Sequence, residues 1–345
     1  MHSTTLAVDL AKSVFAIAVS SRPGRIDRQL RLTRARFLEF FARHEPAVVV
    51  LEACGSAHHW SRQLAAFGHT PILLPAQYVR PYVRRNKTDD ADAAALLEAY
   101  RNEQIRPVAV KSIEQQALVA LHRLRSAWMA TRTARLNALR GILRELGVAI
   151  PVGARQVLPR LASLLADGNG PVPVTLHAPL LEVAAEIRDL ERRIRDLDRQ
   201  LVRQARALPA VQRLLTVPGV GLLTATALFA LVGDLRRFRS GRHFASFLGL
   251  TPRERSSGHR RHLGAISKRG DAYLRTLLIH GARAVLWAAK ARKQPDRLRA
   301  WALALERTAG HNKAAVALAN KLARIAWAVS TRERDFENYP LPVAA

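Results

Sequence analysis

The run Ala47-Val48-Val49-Val50-Leu51, which ends directly in Glu52, constrains the fold of this chain more than any other stretch. A short, wholly apolar, β-branched segment fits a strand that is covered on both faces, so the chain must supply a layer on each side of a sheet. The flanking sequence offers those layers. Leu6 to Val8 and Val14 to Val19 are apolar, with Asp9, Lys12 and Ser13 between them, and read as two strands of a hairpin. Arg25 to Leu32 alternates charged and apolar residues, as an edge strand does. A helix is predicted through Phe37, Leu38, Phe40 and Phe41, and another over His58 to Phe67 after the break at Gly55 and Ser56. Pro71-Ile72-Leu73-Leu74 predicts a further buried strand.

A helix follows at Lys87-Thr88-Asp89-Asp90-Ala91-Asp92-Ala93, so the order is β, β, β, α, β, α, β, α. That is the order of an RNase H-like α/β domain, and an actin-like or sugar-kinase core begins in the same way. The aspartates are conspicuous because the chain carries 55 Lys and Arg against 27 Asp and Glu. With a helix start near Thr88, Asp89 and Asp92 share a face one turn apart while Asp90 points elsewhere. Capping by Thr88 or Asp89, with acids favoured by the helix dipole, is one explanation. Divalent-metal binding is the other. Asp9 ends the first predicted strand and Glu52 the fourth, so a central sheet brings Asp9, Glu52, Asp89 and Asp92 to one rim. Four acids in that order match a two-metal phosphodiester site, in which paired ions stabilise the attacking and leaving oxygens.

The formal charge of +28 on 345 residues points to a polyanionic partner, with nucleic acid ahead of an anionic membrane surface. No apolar run is long enough to predict a membrane span, and the start of the chain lacks the layout of a signal peptide, so an intracellular protein is expected. The single Cys54 cannot form an internal disulfide, and with 12 scattered His it gives no zinc-site spacing. Oxygen ligands are therefore expected for any metal, which favours magnesium or manganese.

Ile113 to Leu146 predicts a long helix, with Leu118, Leu121 and Leu124 on one stripe and Leu136, Leu139, Leu143 and Leu146 on another. Pro151 to Pro159 interrupts it, and Asp167 to Pro173 reads as a loop. Leu180, Val183, Ile187, Leu190, Ile194, Leu197 and Leu201 then keep a 3-4 spacing. This is a coiled-coil seam, paired between chains or antiparallel within one, or else a single amphipathic helix packed inside the monomer. Beyond Pro209 the Pro218-Gly219-Val220-Gly221 turn, followed by an apolar helix over Leu222 to Leu231, resembles a helix-hairpin-helix. There the backbone N–H groups of Gly219 and Gly221 are placed to hold a phosphate. Leu235 to Lys293 holds 15 Lys and Arg against Glu254 and Asp271, which marks the main nucleic-acid surface. Within it Arg253, Arg255, Arg260 and Arg261 surround Ser256-Ser257-Gly258, which is either an ordinary flexible loop or the seat of a hydroxyl nucleophile. Lys268, Arg269 and Arg275 follow in a turn that leads into a basic helix, and a last helix is expected over Asn312 to Val329.

Taken together, Asp9, Glu52, Lys-Thr-Asp-x-x-Asp-Ala at 87 to 93, Pro-Gly-Val-Gly, Leu-Gly-Leu-Thr-Pro with Ser-Gly, and Ile-Ser-Lys-Arg-Gly-Asp-x-x-Leu-Arg-x-Leu-Leu resemble the DEDD-type insertion-sequence transposases. These are relatives of the Piv invertase and are described as bridge-RNA-guided recombinases. The resemblance spans nearly the whole chain, and Ala-Val-Ala-Leu-Ala-Asn-Lys-Leu-Ala-Arg-Ile at 315 to 325 is similar to one subgroup. It implies a RuvC-like domain over 1–106, a helical coiled-coil and oligomerisation region over 107–208, and a mostly helical transposase domain over 209–345. It also implies Asp9, Glu52, Asp89 and Asp92 as magnesium- or manganese-binding catalytic acids, and Ser257 as nucleophile with Ser256 as the alternative. Donor and target DNA, a structured guide RNA and a dimeric or tetrameric assembly are implied partners, with a nucleoid-associated bacterial cytoplasmic location. A RuvC-like structure-selective nuclease and a non-catalytic nucleic-acid-binding protein are the competing expectations.

Overall fold

The computed structural model describes residues 4–22, 24–83, 88–167 and 170–337. Arg84, Arg85 and Lys87, which flank the aspartates, and Gly168 and Asn169 of the predicted loop lie outside the described residues. The chain divides into two compact units, Met1–Ile113 and Glu114–Ala345.

The first unit is built on a five-stranded sheet of β1 (Thr5–Asp9), β2 (Val14–Ser20), β3 (Arg28–Thr33), β4 (Val48–Glu52) and β5 (Thr70–Leu74), in the order β3-β2-β1-β4-β5. β1, β2 and β3 pair antiparallel, whereas β4 lies parallel to both β1 and β5. The apolar run that ends in Glu52 is thus central, and β3 is an edge strand as its alternation predicts. β5 departs from expectation. It lies at the opposite edge, exposed at Thr70 and buried only at Leu73 and Leu74, because among the described residues a lone antiparallel bridge from Leu73 to Val108 is all that pairs beyond it.

Alternation along the strands divides the sheet into two unlike faces. Leu6, Val8, Phe15, Ile17, Val49 and Leu51 face α1 (Arg34–Arg43) and α2 (Ala57–Ala66), where Phe37, Phe41, Trp60 and Leu64 complete a large-residue core. On the other face, Ala7, Ala16, Ala18 and Val50 meet the helix of the aspartates. A short helix, α3 (Ala76–Val79), precedes that one, α4 (Asp89–Tyr100). α4 packs through Ala93, Ala95, Leu96, Leu97 and Ala99. With alanines on both sides, helix and sheet approach closely.

In the second unit α5 (Ile113–Glu145) and α7 (Val174–Arg206) run antiparallel, flanking α6 (Val157–Ala166). Arg125, Arg132 and Arg135 pair with Asp198, Glu191 and Glu186, so the partner number falls as the first rises. The heptad stripe of α7 is buried inside the chain. Leu180, Ala184 and Ile187 pack with Leu136, Leu139 and Leu143, and Leu197 and Leu201 with Leu118 and Val119. Leu124, predicted on the apolar stripe, is exposed instead. Pro159 does not break the chain there. It falls in the first turn of α6, where its missing N–H removes no helical hydrogen bond.

The rest of this unit wraps α8 (Pro209–Leu215), α9 (Leu222–Ala227, continued by a π-helical turn to Val232) and α10 (Gly241–Phe247) with α11 (Ala272–Lys290) and α12 (Arg297–Ala309) around α13 (His311–Arg332). Many of the buried residues of α13 are small, with Ala314, Ala315, Ala319, Ala323 and Ala326 set among Leu318, Leu322 and Val329. Backbones therefore come close. A Cβ on Gly241 would lie 3.1 Å from the backbone of Arg324.

Polar groups are buried in this core as well, His122 and Thr226 among them. His122 of α5 lies 3.0 Å from Thr226 Oγ1 and 2.9 Å from Tyr273 Oη. Because the Thr226 hydroxyl donates to Leu222 O, the ring Nε2–H donates to Thr226 and Nδ1 accepts from the tyrosine. Burial, with Arg125 adding to it, pushes the His122 pKa down to about 4. The folded state thus holds a neutral ring where the unfolded chain titrates near its ordinary value. As pH falls from about 6.5 towards 4 the unfolded state binds the extra proton, and the second unit loses up to roughly 3 kcal/mol. Thermal melts of the wild type and His122→Gln across that range check this, the variant being expected to show the shallower decline.

Candidate active site

Register, more than sequence distance, places the acids. Asp9 of β1 pairs with Ala16 of β2, and Ala16 pairs with Arg31 of β3. On the other side Val8 pairs with Leu51, so the next step of the parallel ladder sets Asp9 beside Glu52. Asp9 shares the parity of Ala7, and Glu52 that of Val50, so both belong to the alanine face under α4. One transverse row, Arg31-Ala16-Asp9-Glu52, thus crosses the carboxyl end of β1 and β4.

The first turn of α4 is anchored to that row. Arg31 donates to both carboxylate oxygens of Asp90, at 3.2 and 2.8 Å, and Gln29 Nε2 lies 3.4 Å from Asp90 O. Thr88 caps the helix, its Oγ1 accepting from Ala91 N at 3.2 Å. The capping explanation therefore holds for Thr88, and Asp90 is accounted for by an ion pair. Asp89 and Asp92 remain in the same first turn, one turn apart. All four candidate acids are oxygen donors suited to a hard divalent cation. Among the described residues, however, no three Asp, Glu, His or Cys side chains converge as a ready-made metal cage. What the structure brings together is the backbone frame, with Asp9 and Glu52 adjacent and the turn of Asp89 and Asp92 tied to the same row.

The serines lie in a β-hairpin where an ordinary loop was one expectation. β6 (Pro252–Glu254) and β7 (Leu263–Ile266) pair antiparallel, and the ladder continues through Arg255 N to His262 O and a Ser257–Arg260 bridge. Gly258, at φ +55°, starts the two-residue turn. Sequence patterning hides this hairpin because both strands are short and almost wholly exposed. Ser256 and Glu254 share one face, where the serine hydroxyl donates to Glu254 Oε1 at 2.7 Å and accepts from His262 N at 3.2 Å. Arg261 joins them, 3.4 Å from Glu254. Alternation sets Ser257 on the opposite face with Arg253 and Arg255. Its hydroxyl makes no hydrogen bond among the described residues. On the hairpin, Arg253, Arg255, His262 and Lys268 line a cavity of about 260 Å³.

The base of the hairpin explains the surrounding motif. Lys268 N donates to Gly249 O, Ser267 N to Thr251 O, and Asn320 Nδ2 of α13 to Leu250 O. A Cβ on Gly270 would lie 2.1 Å from Phe247 O, and one on Gly249 2.7 Å from Arg269 N. Arg275 donates to Leu248 O and Gly270 O, so this predicted nucleic-acid contact is committed to clamping the two ends. Arg260 and Arg269 stay exposed. Gly219 likewise has a packing role, at φ +76° with its carbonyl against Gly281 of α11, while Gly221 is exposed at the start of α9.

The sequence pattern described as "Transposase IS116/IS110/IS902 family" matches residues 211–297, which hold the hairpin, and a DEDD pattern described as "Transposase" matches residues 6–148, which hold all four acids. A probable family 20 transposase of Pseudomonas aeruginosa is 44% identical over 96% of this chain and 98% of its own length. The transposase for insertion sequence element IS1111A of Coxiella burnetii is 39% identical over 96% and 90%. That for element IS1328 of Yersinia enterocolitica is 35% identical over 96% and 98%. The chain belongs to the IS110 family of insertion-sequence transposases. Members of this transposase family are DNA cleavage and transfer enzymes, and a DEDD transposase domain typically uses divalent metal ions. The mixed sheet of the first unit is consistent with such an RNase H-like domain. No helix of the described residues is long and apolar enough to cross a membrane.

The glycine clamp gives a direct test. Gly270→Ala forces backbone apart and is expected to cost about 3 kcal/mol, the upper end for overpacked sites. A lower melting temperature, with faster amide exchange over residues 249–268 than in the wild type, checks it.

Proposed function

We propose that this transposase cuts and rejoins DNA through a covalent link to Ser257, with Asp9, Glu52, Asp89 and Asp92 as the acids that hold magnesium or manganese. The observation that carries the reading is the two-faced hairpin. Ser256 is engaged with Glu254, whereas Ser257 falls on the face of Arg253 and Arg255 with no hydrogen bond to its hydroxyl among the described residues. Guanidinium groups on that face suit the non-bridging oxygens of a phosphodiester. The serine oxygen bonds to phosphorus as the bond to the leaving sugar oxygen breaks, and a hydroxyl of the second strand later displaces the serine. The phosphoserine bond conserves the energy of the phosphodiester. A divalent cation, when bound, would polarise the scissile phosphate and stabilise the charge that develops on it.

The acids and the serine belong to different units of the chain. We read the enzyme as a dimer or tetramer in which the acids of one subunit serve the serine of another, with the α5–α7 pair as a coiled-coil arm. A structured guide RNA that pairs with donor and target DNA, and a nucleoid location, rest on the family resemblance. Arg260, Arg261 and Arg269 are assigned to the DNA backbone, as are the N–H groups of Gly219 and Gly221. A metal-dependent, structure-selective nuclease is the competing reading, and it needs no serine.

A nicked suicide substrate separates the two. Wild type and Ser256→Ala are expected to form a protein–DNA adduct that withstands denaturation, and Ser257→Ala to form none. An adduct with Ser257→Ala would remove the assignment, and cleaved, unjoined products from that variant would establish the nuclease.

The acid set is tested by strand-transfer rates. Asp9→Asn and Asp92→Asn are expected to lose more than the roughly 10–100-fold typical of a missing outer-sphere partner. Asp90→Asn, which only weakens an exposed ion pair, should stay within a few-fold of the wild type.

A further inference from the structure

The five tryptophans of the chain are not equivalent. Trp60 is buried, and Trp128 and Trp327 pack against the core of the second unit. Trp301 is 37% exposed and already has a partner, with Lys321 Nζ 4.1 Å above its ring centre. Trp287 on α11 stands 77% exposed and has no ring or cation partner among the described residues. Holding so large an apolar surface in water has no folding rationale, because α11 is secured from its other side by Leu274, Leu278, Ala282, Val285 and Leu286.

The chemistry around Trp287 indicates its occupant. Helical spacing puts His280, Arg283 and Lys290 on the same exposed stripe, and Arg292 and Lys293 follow just past the helix end. The acid at its border, Glu306, is already shared by Lys290 at 2.8 Å and His311 at 2.7 Å. Among the described residues Arg283 touches the neutral Asn312, at 3.2 Å, and no acid. A flat aromatic face beside cations without a free acid suits a ligand that is planar at one point and anionic at the next. A second copy of the chain fits poorly, since each copy brings a formal charge of +28. A duplex fits poorly too, because its bases are stacked on one another and offer no open face.

We propose that Trp287 is a stacking platform for one unpaired nucleobase of a single-stranded nucleic acid, with Arg283 on the adjoining phosphate. Stacking on an aromatic side chain tolerates any base, so the site adds affinity and position without reading sequence. It lies outside the serine hairpin and the acid row, and it predicts that the enzyme engages an unpaired strand apart from the bond it cuts.

Equilibrium binding without cleavage tests this on the full-length protein. The probes are a short oligodeoxyadenylate, the matching oligoriboadenylate and a duplex of equal length. Trp287→Ala is expected to weaken single-strand binding by roughly 5- to 150-fold, the loss of one stacked base, and to leave duplex binding within two-fold. Trp287→Phe should keep most of the affinity while losing most of the fluorescence quenching that the oligonucleotide causes. Whichever single strand responds identifies the sugar. Arg283→Ala should lower the salt slope by about 0.7 for that strand, and Trp287→Ala should not change it. Unchanged single-strand affinity in Trp287→Ala, equal loss on the duplex, or dissociation of an oligomer on sedimentation would each overturn the proposal. Adduct formation at Ser257 is read separately, so neither result decides the other.

Discussion

The contact on which the first unit depends is between small residues. Ala7, Ala16 and Ala18 leave the face of the sheet low, and Ala93, Ala95 and Ala99 leave the facing side of α4 equally low. Dispersion falls steeply with separation, so two alanine surfaces gain most when backbones are drawn together. That closeness lets the short reach of Asp90 meet Arg31 at the edge of the sheet. A leucine at Ala16 would lift the helix by the length of its side chain and strand the first turn away from Asp9 and Glu52. The acids are thus located by residues that carry no chemistry.

The second unit uses the same economy with glycine. Where the hairpin leaves the core, Gly249 and Gly270 let two backbone segments touch, and Arg275 ties their carbonyls. Gly219 and Gly281 do the same between the Pro-Gly-Val-Gly turn and α11. A rigid base lets an exposed ribbon of two short strands hold a defined shape without a core of its own. The serine at its tip is then aimed by the ladder, since one step of register moves a side chain to the opposite face. Ser256 and Ser257 are neighbours in sequence and opposites in environment for that reason.

Most of the sheet was legible because burial on both faces leaves a plain mark. The apolar run before Glu52, the alternation over Arg25 to Leu32 and the order of strands and helices are direct consequences of solvent contact. The long heptad stripe of α7 was equally plain, but its partner was not. A seam of leucines records that something covers it, and the answer, α5 of the same chain, depends on a return loop that no periodicity encodes. Leu124 is exposed for a different reason: steps of three residues drift around a 3.6-residue helix, so it has rotated off the face that Leu118 presents to α7, although its neighbour Arg125 still reaches Asp198. The serine hairpin left no pattern, because strands exposed on both faces have no need to alternate. Its signals were a two-residue turn with glycine first and glycines at both ends of the base.

The roles of charged residues were the least legible, and the arginines show why. In a chain with 55 Lys and Arg, composition identifies a nucleic-acid partner but treats every guanidinium alike. The fold spends some of them on itself. Arg31 holds Asp90, Arg125 and Arg132 stitch α5 to α7, and Arg275 closes the hairpin base. Each satisfies acids or carbonyls that would otherwise face a strongly positive neighbourhood, which is why so few acids remain for other work. Asp9, Glu52, Asp89 and Asp92 persist in that field without a convergent cluster among the described side chains. Asp9 and Glu52 on the sheet and Asp89 and Asp92 in the helix turn tied to it carry like charges, so under the proposed reading a divalent cation would remove their repulsion as it binds and draw them together.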